Sequence, residues 1–331
     1  MSVTRAIAEA NTNIALVKYW GKRDKQLNLP AVGSLSLTLE GLSTRTEVRF
    51  DSTLAADALT LNGDTAMGEP LRRISKFLDL VRMRAALSAR AQVVSANNFP
   101  TAAGLASSAS AFAALALAAT RAAGLELTGA ELSVLARRGS GSAARSIFGG
   151  FVHLHRGVRD DGDDCYAEEV GGATEWGVRL VVGVTSEGQK ETLSTDGMQH
   201  TAETSPYYAQ WIATSEPDLA AARKAVAARD LEALGVVTER SCLTMHASAM
   251  AARPAVVYFL GATIDGYRAV QTMRKGGLPA WFTCDAGPHV KVLTDAEHAE
   301  EISQKLAAVP GVLRTRVCVP GKGARLVEEQ S

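Results

Sequence analysis

The chain has few cysteines, no excess of charge and no long apolar run. Its 35 basic and 35 acidic residues balance, which argues against a general nucleic-acid or anionic-membrane surface. No apolar stretch could span a bilayer and the N-terminus lacks a signal-peptide core, so we expect a cytoplasmic protein. No CxxC pair or Cys/His cluster occurs, and we expect buried free thiols. These are Cys165, Cys242, Cys284 and Cys318.

Two common nucleotide-binding signatures are also missing. The chain has no GxxxxGK sequence followed by Ser or Thr, and no GxGxxG sequence opens a helix. A Walker-type site and a Rossmann domain are therefore disfavoured. The 331 residues, of which 47% are hydrophobic, are enough to form two domains with a substantial core.

Hydrophobic patterning predicts mixed helices and strands without a regular βαβ alternation. Period-2 segments predict strands over 34–39, 46–50, 58–63, 87–96, 150–155, 178–185, 280–283, 290–293 and 312–319. Helical spacing predicts helices over 70–85, 107–124, 128–138, 201–228, 231–250, 264–274 and 295–308. The pattern changes near residue 175. We therefore predict an α+β protein with domains at 1–179 and 180–331.

The segment 97–110 (Asn-Asn-Phe-Pro-Thr-Ala-Ala-Gly-Leu-Ala-Ser-Ser-Ala-Ser) is the most informative part of the chain. A loop containing Pro and Gly leads into an Ala-rich helix, whose first free N–H groups favour a phosphate. Gly104 permits close backbone approach, and Ser107 and Ser108 add hydroxyls that can bind a phosphate oxygen or a metal ion. The alternative is an ordinary helix start packed against a sheet.

Three further groups could bind anions or act in catalysis. Lys18, Lys22 and Arg23 surround Tyr19 in an apolar setting, either as phosphate clamps or as ordinary surface charges. Segment 138–146 offers three hydroxyls and an arginine suited to binding a carboxylate or phosphate. An aspartate at 285 follows an apolar strand, where it could either face a cleft or simply form a turn.

Several segments together resemble the diphosphomevalonate decarboxylase family of the GHMP kinase superfamily. They are 13–24 (Asn-Ile-Ala-Leu-Val-Lys-Tyr-Trp-Gly-Lys-Arg-Asp), 98–108, 138–146 (Arg-Gly-Ser-Gly-Ser-Ala-Ala-Arg-Ser), 243–247 and 285–288 (Asp-Ala-Gly-Pro). The matches extend from about residue 5 to about residue 295. Ala106 replaces the Gly usual in the kinases, in agreement with the decarboxylase branch. His289 stands where the family usually has Asn.

The resemblance implies a fold and a reaction. The fold is a ribosomal protein S5 domain 2-like N-terminal domain followed by a ferredoxin-like C-terminal domain, in a homodimer. The reaction is the ATP- and Mg²⁺-dependent decarboxylation of mevalonate 5-diphosphate to isopentenyl diphosphate. The alternatives are a decarboxylase of mevalonate 5-phosphate, a mevalonate-type kinase, and a non-catalytic protein of the same fold. Retention of the Asp, the Arg and the lysines argues against the last.

The resemblance also assigns roles to residues. Asp285 would orient or deprotonate the substrate hydroxyl, and Arg145 would hold the substrate carboxylate. Segment 189–198 would close over the diphosphate. The expected catalytic residues are Asp285, Lys18 and Arg145. The expected substrate-binding residues are Asn13, Tyr19, Lys22, Ser140, Ser142, Arg145, Ser194 and Thr195. ATP would contact Ser95, Gly104, Ala106, Ser107 and Ser108, and Mg²⁺ would be bound by Ser107 and Ser108 with the ATP phosphates.

Overall fold

The computed structural model describes residues 4–99, 107–188 and 192–327. Within them the chain forms strands and helices in mixed order, which confirms the predicted α+β class. The strands are Thr4–Val17 (β1), Lys22–Asp24 (β2), Leu29–Pro30 (β3), Ser34–Asp51 (β4), Ala58–Leu61 (β5), Asp64–Thr65 (β6), Arg90–Asn97 (β7), Phe151–Leu154 (β8), Ala167–Glu169 (β9), Val178–Val184 (β10), Trp281–Thr283 (β11), Val290–Asp295 (β12), Arg314–Cys318 (β13) and Arg325–Leu326 (β14).

The helices of the same part of the chain range from single turns to five or six turns. They are Glu69–Ala85 (α1), Ser107–Ala122 (α2), Gly129–Gly139 (α3), Ala143–Ser146 (α4), Ala173–Trp176 (α5), Ser194–Thr204 (α6), Tyr208–Ala228 (α7), Leu231–Met250 (α8), Gly261–Lys275 (α9) and Ala299–Ala307 (α10). None of them combines the length and apolar character that crossing a membrane requires.

Two sheets form the framework. The first has eight strands, ordered β14-β1-β4-β7-β5-β6, with β8 paired to β4 and β9 paired to β8. The second has four antiparallel strands, ordered β11-β12-β10-β13. β14 pairs with β1, so the chain returns to the first sheet after it has formed the second sheet. The boundary between residues 179 and 180 stays a prediction.

Helix α2 packs on β1 and β4 of the first sheet. Alanine has the highest helix propensity, and its small side chain lets a helix approach a sheet closely. Most of the α2 alanines are fully buried, and Phe112 of this helix packs edge-to-face on Phe77 of α1 with ring centroids 5.6 Å apart. This packing fixes the N-terminal end of α2, which carries Ser107 and Ser108.

The two sheets share one hydrophobic cluster. It joins residues of β1 and β4, such as Ile14 and Leu35, to Leu180 of β10 and to helices α7 and α8. The two sheets are therefore held together by apolar side chains that are buried next to the end of β1. The site described below lies where β1 meets this second layer.

Three sequence expectations need correction. The predicted strands 34–39 and 46–50 are parts of one strand, β4, which continues through Gly41 at φ +77°. The predicted helix 201–228 is divided into α6 and α7, because a residue before proline avoids the helical region and Ser205 precedes Pro206. The first strand, β1, was not predicted, since its small and polar residues give little alternation.

Candidate active site

Asp285 lies between two buried lysines contributed by different parts of the fold. It follows β11, and its Oδ1 accepts a hydrogen bond from Lys18 Nζ, which comes directly after β1, at 2.7 Å. Its Oδ2 lies 3.2 Å from Nζ of Lys291 in β12. Both lysine side chains are at most 2% exposed. Oδ2 is buried and accepts no well-aligned hydrogen bond from the described residues, although it is paired electrostatically with Lys291.

This arrangement fixes the charge of the site. Burial alone would raise the pKa of Asp285, but the charges of Lys18 and Lys291 outweigh burial and hold that pKa well below its usual range. Burial would lower the pKa of Lys291, but the carboxylate of Asp285 raises it. The cluster is therefore one carboxylate and two ammonium groups, with a net positive charge that favours an anionic substrate.

Arg145 projects from α4 into a polar cradle. Its Nε donates to Asn13 Oδ1 at 3.1 Å, and its Nη1 donates to Ser34 Oγ at 2.9 Å. Burial lowers the pKa of Arg145 to about 10, so it stays charged at neutral pH. Its guanidinium lies 5.8 Å from the centre of the Tyr19 ring. A fixed guanidinium of this kind can bind a carboxylate in two-point fashion.

Asn13 holds the α4 segment in place. Its Nδ2 donates to the backbone oxygen of Ser142 at 3.1 Å and to Ser146 Oγ at 2.8 Å. Asn13 lies in β1 and is the first paired residue after a shift in the β1–β4 register, which falls between Asn11 and Asn13. An asparagine in the strand therefore connects β1 to the loop that carries Arg145.

A row of hydroxyls connects this cradle to the start of α2. Ser140 Oγ lies 3.2 Å from Ser142 Oγ and 3.3 Å from Ser108 Oγ. Ser107 and Ser108 begin α2, whose first turn contains no acidic residue. Free N–H groups and hydroxyls at a helix start suit phosphate oxygens. The oxygens of the serine hydroxyls also suit Mg²⁺, because that ion needs few protein ligands when phosphates and water supply the others.

Tyr19 lies against the loop between α3 and α4. A Cβ atom on Gly141 would lie 2.3 Å from Tyr19 Oη, so only glycine allows this approach. The Tyr19 hydroxyl is buried and has no hydrogen-bond partner among the described residues. Burial raises its pKa, so it remains a neutral donor. An unpartnered buried hydroxyl beside Arg145 is the expected state of a group that binds an incoming ligand.

Lys22 and helix α6 form the other wall. Lys22 Nζ donates to Asn28 Oδ1 at 2.7 Å, and burial lowers the pKa of Lys22. Helix α6 begins with Ser194, and Asp196 in its first turn is close enough to oppose that lowering. Thr195 is exposed at the same end. The start of α6, which carries Ser194 and Thr195, therefore faces Lys22, and the role of these two residues in binding the diphosphate stays a prediction.

The remaining predicted residues lie elsewhere or outside the described chain. Ser95 is buried in β7, and its hydroxyl lies 2.9 Å from Thr46 Oγ1, so its role with ATP stays a prediction. Gly104, Ala106 and the segment 189–191 lie outside the described residues. His289 is buried beside the site and accepts a hydrogen bond from the Thr185 N–H at 3.3 Å. The histidine therefore supplies a hydrogen-bond acceptor at the position where the family usually has Asn.

Sequence reasoning missed Lys291, Ser34 and Asn28. Lys291 lies within the apolar segment Val-Lys-Val-Leu, and a lone lysine in a buried strand is the signal that could have revealed it. Ser34 and Asn28 gave no such signal, because single polar residues near turns are common. Their contacts with Arg145 and Lys22 come from tertiary packing.

Family models identify both halves of the chain. Residues 10–167 match the model of the diphosphomevalonate decarboxylase-like N-terminal domain. Residues 180–318 match the model of the mevalonate 5-diphosphate decarboxylase C-terminal domain. The two matches together include Lys18, Arg145, Asp285 and Lys291.

Individual relatives and solved structures agree with this result. The chain is 39% identical to diphosphomevalonate decarboxylase of Ganoderma lucidum, over 91% of this chain and 81% of the relative. It is 37% identical to the diphosphomevalonate decarboxylase of Candida albicans, over 90% of this chain and 86% of the relative. The crystal structure of mevalonate diphosphate decarboxylase from Staphylococcus aureus matches with a TM-score of 0.94 and 38% identity, covering 99% of each chain.

A further structure carries ligands: MDDEF in complex with MVAPP, AMPPCP and magnesium. It has a TM-score of 0.92 and 39% identity, and the match covers 99% of this chain and 100% of that one. A structure of the mevalonate diphosphate decarboxylase from Enterococcus faecalis has a TM-score of 0.91 and 38% identity, with the same coverage. Family models, relatives and structures thus agree with the geometry, and the chain belongs to the diphosphomevalonate decarboxylase family.

Proposed function

We propose that this protein catalyses the ATP-dependent decarboxylation of mevalonate 5-diphosphate to isopentenyl diphosphate, with release of ADP, phosphate and CO₂. The observation that carries the proposal is the partly exposed Asp285 between the buried Lys18 and Lys291, at the junction of the two sheets. Around it lie the guanidinium, the hydroxyls and the unpartnered Tyr19 Oη that a multiply charged anion requires.

The chemistry needs a leaving group before it can lose CO₂. The tertiary hydroxyl of the substrate leaves poorly, so ATP first phosphorylates its oxygen. Loss of that phosphate develops positive charge on the tertiary carbon, and the electron pair of the departing carboxylate closes the alkene. Water must be excluded during this step, because it would trap the cation.

The depressed pKa of Asp285 favours one of its two expected roles. A carboxylate of such low basicity is a weak general base near neutral pH. It remains fully ionised, accepts a hydrogen bond from the substrate hydroxyl and places negative charge near the developing cation. We therefore infer that Asp285 mainly orients the hydroxyl and stabilises charge, with the proton leaving late in phosphoryl transfer.

Arg145 would bind the substrate carboxylate, since its planar donors are fixed by Asn13 and Ser34. The diphosphate would be bound by Tyr19, Lys22, Ser140, Ser142, Ser194 and Thr195. Ser107 and Ser108 would bind the ATP phosphates and Mg²⁺ at the start of α2. When bound, Mg²⁺ neutralises charge on the phosphates of ATP.

A cytoplasmic location and a homodimer remain part of the proposal. Four buried free cysteines agree with a reducing compartment. The homodimer rests on the family resemblance, and size-exclusion chromatography with light scattering would test it.

A substrate panel tests the function. Mevalonate, its 5-phosphate and its 5-diphosphate are each supplied with ATP and Mg²⁺, and ADP and CO₂ are measured together. Of the three substrates, we expect only the 5-diphosphate to be turned over, with equal amounts of ADP and CO₂. We expect no turnover after chelation of Mg²⁺. ADP without CO₂ would identify a kinase instead, and preference for the monophosphate would change the substrate.

A further inference from the structure

Two histidines and a glutamate form a cluster on the edge of the first sheet, and none of the three belongs to the site described above. His153 lies in β8, His155 follows that strand, and Glu168 lies in β9 directly opposite His153 in the pairing register. Residues 153 and 155 are two apart, so their side chains emerge on one side of the strand. Their ring centroids are 4.1 Å apart.

The three potential ligand atoms lie close together. Glu168 Oε1 lies 2.9 Å from His155 Nε2 and 3.7 Å from His153 Nδ1. All three atoms lie within 4.8 Å of one another. Zinc bonds of about 2.0–2.1 Å in tetrahedral geometry separate neighbouring ligand atoms by about 3.4 Å. Side-chain movements of about half an ångström or less would bring Glu168 to this separation from each histidine.

One ligand atom is left without a partner. His153 is 4% exposed, and its Nδ1 forms no hydrogen bond with the described residues. A buried imidazole nitrogen without a partner is costly, and a bound ion would remove that cost. The other two side chains are more open, with 31% of His155 and 42% of Glu168 exposed, so an ion can enter from solvent.

The two histidines of the cluster line a surface groove of about 480 Å³. Arg156 and Arg223 line this groove together with Asp164 and Glu216. The arginines disfavour a bare cation but favour an anionic ligand bound to it. Three protein ligands leave a fourth position facing the groove, which water or a small anion would occupy.

We propose that His153, His155 and Glu168 bind one divalent transition-metal ion of the zinc class. Imidazole nitrogen suits zinc, nickel or copper, whereas Mg²⁺ prefers oxygen ligands, so this site is distinct from the one that would serve ATP. The ion joins β8 to β9 across their pairing. Because β8 also pairs with the part of β4 that begins at Ser34, the ion stiffens the sheet behind the Arg145 cradle.

Zinc binding to the full-length enzyme tests the proposal. The protein is stripped with a chelator, exchanged into Mg²⁺-free buffer and titrated with Zn²⁺ by calorimetry. We expect one equivalent in the wild type. We expect His155→Gln and Glu168→Gln each to lose more than the 10–100-fold in affinity that an outer-shell partner typically contributes. Both side chains are partly exposed, so both variants should fold.

His298→Ala is the matched control, because His298 and Asp295 form a partly exposed histidine–carboxylate pair 2.8 Å apart that has no third ligand among the described residues. It should keep the wild-type stoichiometry and affinity. A second readout is Co²⁺, whose visible absorption in wild type should be intense and tetrahedral and should disappear in His155→Gln. Unchanged zinc binding in both cluster variants, or none in wild type, overturns the proposal. Decarboxylation with Mg²⁺-ATP should persist in these variants, which separates this test from that of the function.

Discussion

At the scale of single residues, the site depends on charges that are buried together. Lys18 and Lys291 are removed from water, and the partly exposed Asp285 supplies the negative charge that makes their burial tolerable. Arg145 is likewise buried, and its partners Asn13 and Ser34 are neutral. Its positive charge is therefore left available for a ligand.

Asp285→Asn should reduce kcat by about 10²–10⁴ while the KM for substrate changes little, because the carboxylate acts mainly in the transition state. Steady-state kinetics with the diphosphate substrate measure this. Circular dichroism must accompany the assay, since the variant leaves two buried lysines without their counter-charge. A folded variant that keeps more than about a tenth of the wild-type kcat would contradict the role.

Arg145→Lys should be severely damaging although it conserves charge. Lysine cannot present the planar pair of donors, nor reach Asn13 and Ser34 with the same geometry. We expect a loss of about 10²-fold or more in kcat/KM, as misplacement of a bound substrate produces. Near-normal kinetics would mean that Arg145 supplies general positive charge rather than a carboxylate clamp.

Lys291→Met should raise the pKa of Asp285, because it removes one of the two cations that hold that pKa low. Because Asp285 acts in its ionised form, activity should begin to fall on acidification at a higher pH in the variant than in the wild type. The pH dependence of kcat measures this shift of the acidic limb. If Lys291 only packs the core, stability would fall and the acidic limb would stay in place.

At the scale of elements, close contacts made by one loop and one helix position the aromatic side chains near the site. The α3–α4 loop lies against Tyr19 at Gly141, and α6 lies against Tyr258 and Trp20 at Gly197. The site therefore depends on short connections packed against the end of β1. Neither helix propensity nor strand alternation encodes these contacts.

Gly141→Ala should displace the Tyr19 ring, because the new Cβ would lie 2.3 Å from Tyr19 Oη. A displacement of about 1 Å in a binding group can cost about 10²-fold in kcat/KM. Gly261→Ala is the matched control, since its Cβ would meet no atom within 4 Å. Equal kinetics for the two variants would show that Tyr19 does not position the substrate.

At the scale of the whole molecule, buried neutral histidines make stability depend on pH. Burial lowers the pKa of His246 to about 3 and that of His289 to about 4. In the unfolded chain both protonate near pH 6.5, so the unfolded state gains protons first as the pH falls. Their stabilising effect is complete above about pH 6.5 and is lost progressively below it.

Urea unfolding at about pH 7 and about pH 5 measures this loss. Each neutral buried histidine contributes about 1.4 kcal/mol per pH unit within its window, so His289→Asn should reduce the loss by up to about 2 kcal/mol. Asn can still accept the hydrogen bond from Thr185. An identical pH dependence in the variant would show that His289 does not titrate in this way.

The sequence by itself determined the fold class and the family, and it predicted most residues of the candidate site. Local patterns were sufficient for α1, α3 and α8, because amphipathic spacing and capping residues such as Thr128 and Asp230 act within a few positions of the chain. The motifs around Lys18, Arg145 and Asp285 were recognisable because phosphate and carboxylate chemistry restricts residue type.

Only the tertiary structure decided what surrounds those residues. Lys18 and Asp285 are 267 positions apart, and no local pattern could state that they meet at 2.7 Å. The second cation on Asp285 and the cradle of Arg145 arise where two sheets bury charges at a common junction. The charge state of a side chain depends on its burial and on neighbouring charges. Both are properties of the folded chain rather than of its amino-acid sequence.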